Sequence, residues 1–147
     1  GYPFDSITVM VQREVADRLC AAPGSADYGA ITASLCYYGA PKKLFTVTAG
    51  NFMPAPKVDS AVVRIDLWQD KPVKPQSPEL FFKVIRAAFG QRRKTLANAL
   101  STAFPEVSKD ALAAAITSCG HDVRIRGERL STAEFAALAD ALLPLLS

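Results

Sequence analysis

The sequence predicts an α/β segment followed by an all-α bundle. Short β-branched strand patterns alternate with helical ones before residue 70, prolines then interrupt the chain, and only helical periodicity follows. The 147 residues suit one ordinary domain or two small ones, and the 50% apolar content predicts a packed core. We therefore expect an α/β domain over 1–71 and a helical domain over 72–147.

The α/β part begins with a strand pattern, ITVMVQ (Ile7–Gln12), that is apolar on nearly every residue. Such a run is typical of a strand buried on both faces of a parallel sheet. The next patterns are two helices, REVADRLCAA and DYGAITASLCYYG, the second capped near Ser25 or Asp27, and two strands, KKLFTVTAG and SAVVRIDLW. Because a strand buried on both faces needs more neighbours than this chain supplies, we expect 1–71 to be the end of a larger α/β sheet.

A polar connection with three prolines, QDKPVKPQSP (69–78), separates the two parts and is typical of a semi-rigid linker. Four helical patterns follow it. Ser77 is expected to N-cap the first, with Pro78 at its first position. Ser131 and Glu134 have the spacing of a capping box at the last. The short connections between these patterns favour a small helical bundle.

Positive charge is concentrated in the second half of the chain. Residues 1–71 carry seven Lys/Arg and seven Asp/Glu, whereas residues 72–147 carry ten and seven, so the net charge of +3 lies entirely there. An anionic partner such as nucleic acid is consistent with this distribution. The excess is too small to prove such a partner by itself.

Sequence motifs of cofactor, metal and acid–base sites are missing from the chain. It contains no GxG pair, nucleophile elbow, HExxH motif or Cys/His ligand set, and no paired carboxylates on one helical face. The three cysteines, Cys20, Cys36 and Cys119, are widely spaced, which favours buried reduced thiols of a cytoplasmic protein over a disulfide or a zinc site. No metal site is therefore predicted. No apolar run reaches the ~20 residues of a membrane span, so no membrane association is expected.

One loop is unusually rigid and carries an aromatic residue. In FMPAPKVDSAVV, Phe52 precedes Pro54 and Pro56, and Lys57 follows them. Prolines restrict the backbone and remove hydrogen-bond donors, so Phe52 is held with few alternatives. It could stack on a nucleic-acid base or act as a hydrophobic plug beneath the loop. The residues alone favour the plug.

Adjacent cations lie where the second helix of the helical part begins. Gln91, Arg92, Arg93 and Lys94 precede TLANAL, and Arg86 lies on the helix before them. Cations at a helix N-terminus are unfavourable by roughly 0.3–1 kcal/mol each, and a bound phosphate would reverse this cost. The alternatives are a solvated face or arginines that tether neighbouring helices through carboxylates.

Three further arginines precede the last helix. Arg124, Arg126 and Arg129 lie in RIRGER. They could bind an anion or pair locally with Asp122 and Glu128. The residues alone slightly favour local pairing.

Five stretches, in this order, resemble the bacterial small-subunit (16S) rRNA adenine N6,N6-dimethyltransferases, the kasugamycin-resistance methylase family. They are VMVQREVADRL, GSADYGAITASLCYY, FMPAPKVDSAVVR, FFKVIRAAFGQRRKTLANAL and RGERLSTAEFAALADAL. The resemblance covers essentially the whole chain. The F-x-P-x-P-K-V-x-S loop is similar to the wider family, which includes the macrolide-resistance methylases.

The resemblance implies a Rossmann-like S-adenosylmethionine methyltransferase domain followed by a small helical domain. The family's glycine-rich cofactor loop and its Asn-Leu-Pro-Tyr-type catalytic motif belong upstream of this sequence. The chain is therefore expected to be a C-terminal fragment with no catalytic and no cofactor-binding residue of its own. We expect it to be inactive alone and to bind no S-adenosylmethionine, the cofactor of the intact protein.

The resemblance also implies roles for individual residues. Phe52 would stack on the flipped target adenine, Pro54 and Pro56 would fix its loop, and Lys57 would lie near the RNA backbone. The residues expected to bind RNA are Lys57, Arg86, Gln91, Arg92, Arg93, Lys94, Arg124, Arg126 and Arg129.

The function implied is dimethylation of two adjacent adenosines in small-subunit rRNA, on an assembling small ribosomal subunit in the cytoplasm. One alternative is a non-catalytic rRNA-binding module, and another is a macrolide-resistance type methylase acting on large-subunit rRNA. Because ITVMVQ would present an open apolar edge, we also expect the first part to exchange strands with a second copy or to be locally rearranged.

Overall fold

A computed structural model describes residues 5–51, 57–91 and 93–146. The described chain is α/β, with six helices and one sheet of three strands. It separates into two compact units. The first comprises the residues up to 22 together with 26–72, and the second comprises 23–25 together with 73–147.

The first unit contains all three strands and two of the helices. Its elements are β1 (Ser6–Gln12), α1 (Arg13–Leu19), α2 (Ala30–Tyr38), β2 (Gly39–Val47), a 3₁₀ turn (Ala49–Asn51) and β3 (Ser60–Leu67). The predicted elements are all present. The predicted cap of α2 at Ser25 or Asp27 is wrong, because α2 begins after Gly29, whose N–H donates to the Thr32 hydroxyl at 3.3 Å.

The sheet has the order β1-β3-β2, and both outer strands run antiparallel to β3. Strands β1 and β2 therefore run in the same direction but are not neighbours. The expectation that β1 lies in a parallel sheet is wrong for its pairing with β3. Antiparallel strands need no helical crossover between them, and the long connection of residues 48–59 joins β2 to β3 directly.

The core of the first unit lies on one face of the sheet. Ala16 of α1 packs with Ala61, Val63 and Ile65 of β3, all buried. From β1, Val9 and Val11 contact this core and are partly buried. The expectation that β1 is buried on both faces is also wrong, because its remaining residues are exposed. Within the described part of the chain, helices cover only one face of β1.

The second unit is entirely helical. Its elements are α3 (Pro78–Gly90), α4 (Leu96–Ala103), α5 (Lys109–Ser118), a 3₁₀ turn (Gly127–Arg129) and α6 (Thr132–Leu146). Residues 23–25 belong to this unit, and the Gly24 N–H donates to the Glu128 carbonyl at 2.8 Å. The positive φ of Gly24, 86°, is a conformation that glycine adopts without strain.

Predicted caps begin the first and last helices of this unit. The Ser77 hydroxyl accepts from the Leu80 N–H at 3.2 Å, with Pro78 as the first helical residue. At α6 the capping box is complete: the Glu134 carboxylate accepts from the Ser131 N–H at 3.0 Å, and the Ser131 hydroxyl accepts from the Glu134 N–H at 3.2 Å. Side-chain oxygens thus satisfy helix N–H groups that have no intrahelical acceptor.

Apolar side chains from all four helices fill the interior of the second unit. The largest fully buried ones are Phe81, Ile85, Leu96, Leu100, Phe104, Leu112, Ile116, Leu130, Phe135, Leu138 and Leu142. Along α3 and α6 they recur at helical spacing, as is typical of helices that bury one face.

The three cysteines, Cys20, Cys36 and Cys119, are free thiols in this structure. Each is partly exposed, so the expectation of buried thiols is wrong. Among the described residues no helix combines the length and apolar character needed to cross a membrane.

Candidate functional site

The predicted base-stacking loop lies in the connection between β2 and β3. Phe52, Pro54 and Pro56 are outside the described residues, whereas Lys57 is described and exposed to solvent. The connection opens with the 3₁₀ turn that begins at Ala49 and leads into β3. Of the four predicted loop residues, Lys57 is the one that the structure describes.

Lys57 borders a polar cavity of about 460 Å³ in the first unit. Strand β1 ends and α1 begins on its other side. Its lining residues are Gln12, Arg13, Glu14, Asp17, Lys57, Val58 and Asp59. Two cations and three carboxylates share this space, so the cavity has no strong preference for one sign of charge.

Asp59 organises the wall of this cavity. Its carboxylate accepts from the Ala49 N–H at 2.9 Å and lies 3.7 Å from the Arg13 guanidinium, while its backbone carbonyl accepts from the Arg13 N–H at 2.9 Å. Sequence reasoning missed both residues. A signal was available, since an aspartate just before a strand often bonds to nearby backbone N–H groups.

A cationic segment lies between α3 and α4, where the sequence predicted it. Arg93 and Lys94 are exposed, Gln91 is partly exposed, and Arg92 lies outside the described residues. The Thr95 hydroxyl caps α4 by accepting from the Asn98 N–H at 3.3 Å. The cations therefore lie just before the N-terminus of α4. One of the backbone N–H groups of its first turn, that of Asn98, is already bonded to the Thr95 hydroxyl.

The two predicted arginine segments are brought together by a backbone hydrogen bond. The Leu96 N–H, at the start of α4, donates to the Ile125 carbonyl at 2.8 Å. Ile125 lies between Arg124 and Arg126, and the cations at 93 and 94 immediately precede Thr95 and Leu96. The backbone segments that carry these cations, about thirty residues apart in sequence, therefore lie next to each other.

Exposed arginines line a second cavity, of about 440 Å³, at this place. Its lining residues are Asp122, Arg124, Ile125, Arg126, Glu128 and Arg129. With three guanidiniums against two carboxylates, its formal charge is positive. The cavity is shallow and open, which suits an extended anion better than an enclosed small molecule.

Local pairing does not account for these arginines. The Asp122 carboxylate accepts from the backbone N–H of Arg124 at 2.8 Å and so shapes the turn. Within residues 5–51, 57–91 and 93–146, the ion pairs involve none of the guanidiniums of Arg124, Arg126 and Arg129. All three arginines are exposed and available to an external anion.

The cations on α3 have different environments. The Lys83 ammonium lies 4.6 Å from the ring centroid of Phe104, a cation–π contact inside the second unit. Arg86, one turn further along the same helix, is exposed. Lys83 therefore contributes to packing, whereas Arg86 presents its side chain to solvent.

The junction of β1 and α1 in the first unit has no glycine-rich loop. Where β1 passes into α1, the turn consists of Gln12 and Arg13, without the glycines that let a backbone approach a dinucleotide or similar cofactor. Among all the residues that the structure describes, no group of three or more His, Cys, Asp or Glu side chains could hold a metal ion.

Comparison with known proteins identifies the family. Residues 2–138 match the family model described as ribosomal RNA adenine dimethylase. The chain is 51% identical over 142 residues to ribosomal RNA small subunit methyltransferase A of Lachnoclostridium phytofermentans, covering 95% of this chain and 49% of the relative. It is 46% identical over 145 residues to the protein of the same name from Geobacillus thermodenitrificans, covering 97% and 50%.

Solved structures share the fold of the described chain. A dimethyladenosine transferase from Plasmodium falciparum superposes with a TM-score of 0.76 at 21% identity, covering 94% of this chain and 57% of that one. The 23S rRNA methyltransferase ErmE superposes with a TM-score of 0.63 at 18% identity, covering 94% and 55%. The chain spans about half the length of the curated relatives it matches. It belongs to the ribosomal RNA adenine dimethylase family.

Proposed function

We propose that the intact protein is an S-adenosylmethionine-dependent methyltransferase that dimethylates two adjacent adenosines in small-subunit rRNA. The match to the family model over residues 2–138 is the observation that carries this proposal. The relatives at 51% and 46% identity are named as small-subunit methyltransferases. The enzyme would act in the cytoplasm on an assembling small ribosomal subunit.

The two parts of this chain would have different roles in the enzyme. We assign 1–71 to the C-terminal part of a Rossmann-like methyltransferase domain and 72–147 to a helical domain that recognises RNA. The likeness in fold to two rRNA methyltransferases supports the first assignment. The exposed cations of the second unit support the second assignment, because exposed cations can neutralise phosphates.

Base stacking is the contribution we propose for the β2–β3 connection. The exocyclic amine of adenine is a poor nucleophile because its lone pair is delocalised into the ring. An enzyme must therefore extract the base and hold the amine in line with the methyl donor. Phe52 would stack on the extracted adenine, Pro54 and Pro56 would stiffen its loop, and the exposed Lys57 would lie near the RNA backbone.

RNA binding by the second unit would use its exposed cationic side. The proposed contacts come from the end of α3, from the segment before α4 and from the arginine turn before α6. They are Arg86, Gln91, Arg92, Arg93, Lys94, Arg124, Arg126 and Arg129. The hydrogen bond from the Leu96 N–H to the Ile125 carbonyl supports a shared surface, because it holds the last two segments together.

Two alternative functions make different predictions. A non-catalytic RNA-binding module would bind the small subunit without transferring methyl groups, even as the intact protein. A macrolide-resistance type methylase would act on large-subunit rRNA instead. The names of the relatives at 51% and 46% identity favour the small subunit over the large one.

Methyl transfer by the intact protein tests the proposal directly. The intact protein should transfer methyl groups from S-adenosylmethionine to undermethylated small subunits and leave large subunits unmodified. Transfer only to large subunits would favour the macrolide-resistance alternative, and binding without transfer would favour the binding module. Residues 1–147 alone should show no micromolar binding of S-adenosylmethionine by calorimetry.

We propose a second copy of the chain as a partner for β1, which among the described strands pairs with β3 alone. Strand β1 pairs with β3 along one edge, and the exposed fractions of its Ile7 and Met10 are 38% and 57%. Strand edges with apolar side chains recruit other strands. Self-association of residues 1–147 is therefore expected at high protein concentration.

A further inference from the structure

The turn at Pro23–Ser25 contacts the arginine turn before α6, residues 124–129. In sequence it lies between α1 and α2, yet it belongs to the second unit. The Gly24 N–H donates to the Glu128 carbonyl at 2.8 Å, and this hydrogen bond joins the two turns through main-chain atoms only. It would therefore persist when any residue other than proline replaces Gly24.

The side chain of Arg129 lies against Gly24. A Cβ at Gly24 would be 3.6 Å from Nη1 and 3.7 Å from Cδ of Arg129. Both the guanidinium and the aliphatic stem of the arginine therefore pass next to this glycine. A methyl group would fit at these distances, whereas a longer side chain at this position would compete with Arg129 for the same space.

Contact with this turn restricts the conformations of an exposed arginine. Arg129 is exposed, and among the described residues its guanidinium takes part in no ion pair. With Arg124 and Arg126 it lines the positively charged cavity of about 440 Å³. A long side chain loses rotamer freedom when it binds an anion, so a side chain that is already restricted binds at a lower entropic cost.

We infer that Gly24 is a positioning residue for RNA binding, which keeps the Arg129 side chain in the orientation that meets a phosphate of small-subunit rRNA. This inference rests on the proposed function, because the orientation of Arg129 matters in this way only if the arginine turn contacts RNA. A turn from the first half of the chain would thus take part in the RNA-binding surface of the second unit.

A pair of matched asparagine variants of the intact protein separates positioning from backbone strain. The φ of Gly24 is 86°. Asparagine adopts a positive φ more readily than most residues, so Gly24→Asn should keep the turn and displace the Arg129 side chain. Gly120→Asn is the control, because Gly120 has a φ of 88° and nothing lies within 4 Å of a Cβ there. Both variants therefore carry a similar backbone cost, and only the first has a neighbouring side chain to displace.

Binding to undermethylated small subunits at a fixed salt concentration is the measurement. Gly24→Asn should bind about 2- to 10-fold more weakly than Gly120→Asn, the range expected when one long side chain must be ordered on binding. Arg129→Ala should weaken binding at least as much. In the Arg129→Ala background, Gly24→Asn should have no further effect, because the side chain that it displaces is gone. A purely structural effect of Gly24→Asn would persist in that background.

Three results would overturn the inference. They are equal affinities of Gly24→Asn and Gly120→Asn, an unchanged affinity in Arg129→Ala, and an equal loss from Gly24→Asn with and without the Arg129 side chain. Methyl transfer by the unmodified protein to the same small subunits is measured in parallel. Its absence would instead refute the proposed function, so the two failures are distinguishable.

Discussion

Met10 and Phe45 lie on the same face of the sheet, each paired with Val62 of the central strand from opposite sides. Their exposed fractions are 57% and 56%, although both are large apolar residues. The opposite face of the same strands carries the buried core residues Val63 and Ile65. One face of this sheet therefore has a helical layer, and the other presents an apolar row across all three strands.

Replacing this apolar row should reduce self-association of the chain without unfolding it. Exposed apolar patches on strands promote association, so a Met10→Thr and Phe45→Thr variant should remain monomeric at higher concentrations in sedimentation experiments. Its melting temperature should change little, because neither side chain is in the core. Val63→Thr is the contrast: it places a hydroxyl in the core, and it should cost about 1–3 kcal/mol. Equal association of the two-site variant and the unmodified chain would contradict this explanation.

Close packing of the 3₁₀ turn against α3 should make Gly127 intolerant of a side chain. A Cβ at Gly127 would lie 2.6 Å from the Cβ of Ala88, which is buried on α3. Gly127→Ala should therefore destabilise the protein by about 1–3 kcal/mol in urea unfolding. Gly90→Ala is the control, since nothing lies within 4 Å of a Cβ there, and it should be neutral or stabilising by up to about 1 kcal/mol. Equal urea midpoints for the two variants would show that the 3₁₀ turn can shift away from α3 to accommodate a methyl group.

The Cys20 thiol should react slowly in the native chain. Burial raises the pKa of Cys20 above its ordinary value of 9.0, an effect that the Lys43 backbone N–H and ammonium partly oppose. A raised pKa means less thiolate at pH 8, and the thiolate is the nucleophile. Iodoacetamide labelling followed by mass spectrometry should therefore be slower at Cys20 in the native than in the urea-unfolded chain.

The raised pKa of Cys20 also makes the free energy of unfolding depend on pH. Since the native pKa is the higher one, the contribution of this thiol is complete below pH 9.0 and disappears as pH rises through the native value. Equal labelling rates in native and unfolded chains would contradict the slow reaction, and a free energy of unfolding that does not fall above pH 9.0 would contradict the pH dependence.

Truncating Phe52 should separate methylation from binding in the intact protein. Phe52→Ala should lower methyl transfer by roughly 100-fold, because the target amine would no longer be held in line. Binding to small subunits should change little, since one stacked base is a small part of a polar interface. Phe52→Tyr keeps the ring and should retain activity. Normal turnover by Phe52→Ala would contradict base stacking and favour the alternative that Phe52 is a hydrophobic plug beneath its loop.

Local patterns predicted the helical unit well because its elements are stabilised by contacts near in sequence. Ser77 and Ser131 cap helices three residues ahead of their partners, and Phe135, Leu138 and Leu142 repeat at helical spacing. Caps and buried helix faces are formed by residues three or four positions apart, so a short stretch of sequence is enough to predict them.

The sheet was predicted less well because strand environment depends on distant segments. The apolar run at Ile7–Gln12 correctly indicated a strand but did not reveal its antiparallel partner or its exposed face. Asp59 was missed for the same reason. Its contacts to Ala49 and Arg13 join residues 10 and 46 positions away, and no local pattern records them.

We propose that the cations before α4 and before α6 bind small-subunit RNA. Binding of the intact protein to undermethylated small subunits, measured against salt concentration, tests this proposal. Arg93→Ala with Lys94→Ala should weaken binding and flatten the logarithmic salt slope by about 0.7 to 0.9 for each phosphate that the variant no longer neutralises. Lys109→Ala, at the first position of α5, should leave the slope unchanged. An unaltered affinity and slope in the Arg93/Lys94 variant would contradict the claim.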